Sequence, residues 1–270
     1  MTIAVIWQEE SFLWAVADTR FSRVSGADAQ RITDHGPKLL PLTVVIRQPS
    51  ASGFFDSVRF QTTLGFLYAG ATAPALSTHA LCTAALQNLI TDPEHALPTL
   101  ASIARFVGRT AERYMIDWGQ NAPNHACFSA FVFGWCGAEN ALQAFHILPK
   151  IKERLIVDTS RVDLREPVAI GSGARDFKLR LDTLRHDGDK FGRTSRLPLL
   201  AVESLIADGT RDDIGGDIQL GYANQAGLQI ASRCRPQTRG KPHAVMTFLG
   251  IDVLEIGPVG SCAIGMSGIA

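Results

Sequence analysis

Residues 2–18 constrain the start of the fold more tightly than any other part of the chain. Thr2-Ile3-Ala4-Val5 and Phe12-Leu13-Trp14-Ala15-Val16-Ala17 are short apolar runs rich in β-branched and aromatic residues, and polar Gln8-Glu9-Glu10-Ser11 lies between them. That arrangement predicts a β-hairpin. A hairpin lays its second strand back along its first, so Asp18 at the end of the second returns to the neighbourhood of Thr2. Asp18-Thr19-Arg20 then places a carboxylate and a guanidinium beside Thr2.

Thr2 follows the initiator Met1, and a small second residue suits Met1 for removal by an ordinary methionine aminopeptidase. Thr2 would then carry a hydroxyl nucleophile and an α-amine whose ordinary pKa is about 7.7–8.0. A free N-terminal amine is one of the groups that activates a threonine hydroxyl. A Thr start, an apolar hairpin and an Asp-x-Arg segment together resemble the proteasome β-subunit family of N-terminal-nucleophile hydrolases. The likeness is to the divergent bacterial proteasome-like branch. With Thr2 counted as the first residue Asp18 is the seventeenth, the family's own spacing.

The chain has 270 residues, 46% apolar and 19% charged, enough to bury a large core. With no linker, repeat or low-complexity tract, residues 1–270 read as a single domain. Lys plus Arg equals Asp plus Glu at 26 each, which leaves no electrostatic footprint for nucleic acid or an anionic membrane. The longest apolar stretch, 126–138, is too short to span a bilayer, and Gln8-Glu9-Glu10 breaks the first apolar run before it could form a signal peptide. Five scattered cysteines without a CxxC pair fit a reducing compartment, so the cytoplasm is the expected location. The seven histidines form no HxxxH or HxH pair and no complete nucleotide-binding glycine loop is present, so neither a metal nor a cofactor is expected.

Along the chain, 21–37 reads as a polar loop and 38–46 as an apolar strand introduced by Lys38. Residues 47–55 read as a loop or hairpin tip and 64–68 as a strand. Helical periodicity covers 74–90 and 98–115. Strands follow at 126–135, 141–147, 155–157 and 167–170, then helices at 174–186 and 197–207. Residues 218–230 and 245–256 complete the sheet-forming material. By pattern alone this order gives an α+β fold. The resemblance implies a four-layer αββα sandwich of the N-terminal-nucleophile hydrolase type.

The resemblance also implies roles for residues in four further segments. Lys38, entering an apolar strand, corresponds to the family lysine that pairs with the hairpin aspartate and tunes the nucleophile; burial lowers a lysine pKa. Gly70, where a strand opens a helix, matches the glycine whose N–H stabilises an oxyanion. Ser172 in Gly171-Ser172-Gly173 matches the serine that hydrogen-bonds near the nucleophile's amine. Arg211-Asp212-Asp213-Ile214-Gly215-Gly216 resembles the late turn with a supporting aspartate, and Asp212 is assigned ahead of Asp213. Ile214 departs from the pattern, because the family carries serine there. The expected catalytic set is Thr2, Asp18, Lys38, Gly70, Ser172 and Asp212. The implied activity is a threonine-type peptidase acting on peptide or unfolded-protein substrate in a homo-oligomeric ring; an ATPase partner stays open. Two alternatives stand beside it, an inactive proteasome-fold assembly protein and a small-molecule amidase.

Overall fold

The computed structural model describes residues 2–25, 28–151, 153–186, 196–235, 245–265 and 268–269. Two sheets stack face to face. The first contains β1 (Ala4–Glu9), β2 (Phe12–Asp18), β11 (Val168–Ile170), β12 (Ile218–Asn224), β13 (Gly227–Arg235), β14 (Val245–Phe248) and β15 (Ile251–Asp252). They run in the order β11-β1-β2-β12-β13-β14-β15, and a short β16 (Gly268–Ile269) pairs with β13. The second sheet has the order β10-β9-β8-β6-β5-β7. Its strands are β5 (Leu39–Gln48), β6 (Ser57–Gly70), β7 (Leu89–Ile90), β8 (Phe128–Cys136), β9 (Ala141–Ile151) and β10 (Leu155–Arg161).

Two-residue alternation along these strands divides the core in three. Ala4, Ile6, Leu13, Ala15 and Ala17 of the first sheet meet Leu67, Ala69, Phe131 and Phe133 of the second. The opposite face of the first sheet, through Ile3, Val5, Val16 and Leu220, packs on Phe177 and Leu181 of α3 (Ala174–His186) and on Ala201, Val202 and Leu205 of α4 (Leu197–Asp208). The opposite face of the second, through Val44, Phe66, Ala130 and Val132, packs on Cys82 of α1 (Thr72–Leu86) and on Ile103, Val107 and Ala111 of α2 (Leu100–Asn121). The N-terminal strand therefore sits inside a sheet, covered on both faces and paired on both edges.

The first hairpin forms as the sequence predicts, with Ala4 opposite Ala17 and Glu9 opposite Phe12. Several segments differ from expectation: residues 89–90, expected as the end of a helix, pair with β5 as β7 once α1 stops at Leu86, and the strand expected at 64–68 runs from Ser57 to Gly70. Residues 21–37 are not a plain loop: β3 (Phe21–Ser25) and β4 (Asp28–Thr33) pair as a two-stranded ribbon. Ser22, Arg23, Gln30 and Arg31 give that ribbon no apolar run to announce it. The segment 245–256 ends in a helical turn, α5 (Val253–Ile256), because Asp252 caps it by accepting from the Leu254 N–H at 3.0 Å. Helix α2 continues to Asn121, past Met115.

Candidate active site

Strand β1 has a neighbour on each edge, and each neighbour delivers a polar group to Thr2. On one edge β2 ends at Asp18; on the other β11 ends at the Gly171-Ser172-Gly173 turn, with Ala4 opposite both Ala17 and Ile170. Lys38 arrives from the second sheet, at the entrance to β5. Thr2, Asp18 and Lys38 are all buried.

Thr2 Oγ1 donates to Asp18 Oδ1 at 2.6 Å, and Lys38 Nζ lies 2.7 Å from the same carboxylate oxygen. Lys38 Nζ is also in hydrogen-bond contact with Thr2 Oγ1. Asp18 is held from behind by backbone donors: Ile3 N at 3.0 Å to Oδ1, with Gly215 N at 3.1 Å and Arg20 N at 3.3 Å to Oδ2. These N–H groups fix the carboxylate in position beside the ammonium. Burial pushes the Lys38 pKa down, and the attraction of Asp18 does not fully offset it. A lysine poised this way gives up its proton more readily than an exposed one.

On the other side of Thr2, its backbone N donates to Ser172 Oγ at 3.2 Å. Ser172 Oγ donates in turn to Asp213 Oδ2 at 2.5 Å. Arg211 grips Asp213 with two N–H groups, each at 2.9 Å, and reaches Asp176 at 2.8 Å. Burial raises the Asp213 pKa, but Arg211 and Ser172 together outweigh it and hold the carboxyl below its ordinary value. Gly171, at φ +100°, passes so close to the Thr2 carbonyl oxygen that a side chain there would collide with it. This turn can therefore lie against the nucleophile only with glycine at its first position.

The acid that supports Ser172 is thus Asp213, which corrects the assignment of Asp212. The Asp212 side chain points to solvent, and its carbonyl accepts from Arg20 Nη1 at 3.4 Å. Arg211 and Ser172 draw Asp213 inward. Ile214, where a serine was expected, fills the apolar layer under α3 and α4. Arg20 ties the same turn down, pairing with Asp34 at 2.7 Å and donating to Ile214 O at 3.3 Å.

Gly70 lines a narrow pocket with Thr2, Lys38, Phe21 and Tyr68. Tyr68 N donates to Lys38 O and Ala71 N to Cys127 O, both at 3.0 Å. Strand alternation then turns the intervening Gly70 N–H toward the β5 edge, just beyond where β5 begins. Gly70 ends β6 at that point and borders the pocket. Sequence reasoning missed Gln219, a buried side chain of β12. Its Oε1 accepts from both Lys38 N and Leu39 N at 2.8 Å, and its Nε2 donates to Leu39 O at 2.7 Å. A lone glutamine between Ile218 and Leu220 in an otherwise apolar strand was the available signal.

Met1 lies outside the described residues. Among the described residues no three His, Cys, Asp or Glu side chains gather to hold a metal ion. No described helix is long and apolar enough to cross a membrane.

No protein-family profile matches the sequence, and no curated protein does. The structure is similar to that of the Anbu (Gly-1) mutant from Hyphomicrobium sp. strain MC1, with a TM-score of 0.52 and 20% identity, over 86% of this chain and 85% of that one. A likeness at that identity speaks to the fold, which is distantly proteasome-like.

Proposed function

We propose that this chain is a threonine-type N-terminal-nucleophile hydrolase of peptide or amide bonds, folded as one four-layer αββα domain. The observation that carries the reading is the sealed Thr2–Asp18–Lys38 cluster, with Thr2 Oγ1 and Lys38 Nζ converging on one carboxylate oxygen. Excision of Met1 turns the Thr2 peptide nitrogen into an amine with a lone pair, already placed against Ser172 Oγ. Thr2 Oγ then attacks the substrate carbonyl carbon and its proton passes to the α-amine. The Gly70 N–H donates a hydrogen bond to the developing oxyanion. The protonated amine gives its proton to the leaving nitrogen, leaving an ester on Thr2. Water, deprotonated by the same amine, cleaves that ester and restores the hydroxyl. Lys38 and Asp18 set the charge around Thr2 Oγ, while Asp213 orients Ser172. Family resemblance adds a homo-oligomeric ring or open ring, with six or seven subunits by analogy alone.

A second reading, a proteasome-fold assembly protein without turnover, is favoured by Ile214 standing in place of a serine. One experiment separates the two. The hydrolase reading expects an intact mass lower by one methionine and covalent capture of Thr2 by a peptide epoxyketone. Thr2→Ala abolishes labelling and Thr2→Ser retains part of it. Quantitative retention of Met1 overturns the hydrolase reading in favour of the second. A fluorogenic peptide panel beside simple amides distinguishes a peptidase from a small-molecule amidase.

A further inference from the structure

The outward side of the α1–α2 pair carries an open groove of about 520 Å³, lined by Leu81, Phe106, Arg109, Thr110, Arg113 and Tyr114. Leu81 is 43% exposed there. Arg109 and Arg113 stand one helical turn apart on α2, so their guanidinium groups border the same apolar floor. Among the described residues no ion pair engages either of them. Asp117, one turn further on, leaves the groove with a net positive rim.

Helix α5 packs on β14 and β15, at the edge of the first sheet. The segment Ile251-Asp252-Val253-Leu254-Glu255-Ile256 holds two acids and no base. Leu254 and Ile256 are 67% and 70% exposed, a large apolar display for so short a turn. Exposed apolar clusters rimmed by charge mark interaction surfaces. Asp252 and Glu255 are three residues apart, a spacing that brings their carboxylates onto one side of the turn, much as Arg109 and Arg113 share one side of α2. One surface is an apolar floor with two cations; the other is an apolar knob with two anions.

We propose that the 251–256 segment of one copy docks in the α1–α2 groove of a second copy. Leu254 and Ile256 fill the space over Leu81, Phe106 and Tyr114, and Glu255 meets Arg113. Within one chain the two surfaces belong to different sheets, α1 and α2 lying on the outer face of the second and α5 on the edge of the first. The contact is therefore between copies. It joins two different patches, a head-to-tail arrangement that closes into a ring or runs on as an open helix. The proposal rests on the ring reading above and is independent of the hydrolase chemistry.

The test measures assembly of the full chain by light scattering. Wild type forms an oligomer at micromolar concentration. Arg113→Glu and Glu255→Arg each weaken subunit affinity by about tenfold or more, and the double variant R113E/E255R regains most of it. A monomeric wild type overturns both this contact and the ring. An oligomer unaffected by either single reversal, or a folded double variant that stays dissociated, overturns the contact alone. Should a charge reversal fail to fold, crosslinking decides. On a Cys262→Ser background, chains carrying Leu81→Cys are mixed with chains carrying Leu254→Cys. A short bis-maleimide joins unlike chains if the segment sits in the groove, and leaves them unjoined if it does not.

Discussion

Lys38 Nζ and Asp18 Oδ1 face each other at 2.7 Å with both side chains sealed from solvent, and Thr2 Oγ1 touches both. The carboxylate is fixed by three backbone N–H groups that belong to the fold itself. Among the described residues the ammonium has no comparable backbone anchor. Its charge depends on Asp18, and burial works against it. Asp18 is thus the fixed part of the cluster and Lys38 the responsive one.

Replacing Lys38 with Met tests that asymmetry. Loss of a positioned electrostatic or acid–base partner costs about 10²–10⁴ in turnover. Removing one partner of a buried pair can also cost about 3–5 kcal/mol, but the backbone donors to Asp18 remain and the chain still folds. Lys38→Arg does not rescue turnover, because a guanidinium stays charged and has a different shape. Single-turnover kinetics alongside circular dichroism check this, and full turnover in a folded Lys38→Met protein removes Lys38 from the mechanism.

Asp212 and Asp213 offer a paired comparison. Asp213→Asn loses the charge that Arg211 grips and one of the two acceptor oxygens that Arg211 and Ser172 share, for about 1–3 kcal/mol of stability and a slower reaction. Asp212→Asn, on the exposed side of the turn, stays within about 0.5 kcal/mol of wild type. The pH dependence follows from the sign of the shift. The folded pKa of Asp213 lies below its ordinary value of 3.8, so its contribution is fully present above that pH. It is lost as pH falls through the folded value. The Tm gap between wild type and Asp213→Asn is therefore widest above about pH 4 and closes in stronger acid. A gap that widens on acidification contradicts the assignment.

The parts of this site that were legible in the sequence are those tied to strand order. Asp18 follows from hairpin geometry, because a two-strand return must bring residue 18 back to residue 2. Ser172 and Lys38 were readable only through resemblance, since nothing local says that β11 lies beside β1 or that β5 enters from the other sheet. The choice between Asp212 and Asp213 hangs on which way one turn residue faces, a matter of side-chain partners rather than pattern. The β3–β4 ribbon was missed because Ser22, Arg23, Gln30 and Arg31 leave no apolar alternation to read in the sequence. Gln219 was missed because its value lies in three hydrogen bonds between sheets that no one-dimensional signal records.

Gln219→Met measures what those bonds contribute. The replacement has similar length but leaves the N–H groups of Lys38 and Leu39 without their acceptor, at about 1–3 kcal/mol for a buried donor. The expected outcome is a lower Tm together with a lower kcat and little change in KM, because the strand that presents Lys38 loosens while the substrate pocket keeps its walls. An unchanged kcat in a destabilised protein would make Gln219 structural only.

Gly70→Ala examines the oxyanion position directly. Gly70 has φ +115°, where an L side chain is strained, and a Cβ there would lie 2.8 Å from Cys127 O and from Phe128 Cα. Both are backbone atoms that cannot rotate aside, so the chain must shift at the end of β6. Strain of this kind costs about 1–3 kcal/mol. The shift also turns the N–H away from Thr2, and loss of one oxyanion donor lowers kcat by about 10²–10³. Gly53→Ala is the control: it also has a positive φ, +80°, but nothing lies within 4 Å of the added methyl group and the site is elsewhere. Both variants should lose stability, whereas only Gly70→Ala should lose turnover beyond what its Tm explains. Equal residual activity in the two, measured well below their melting temperatures, would remove Gly70 from the oxyanion role and leave it as the bend that opens α1.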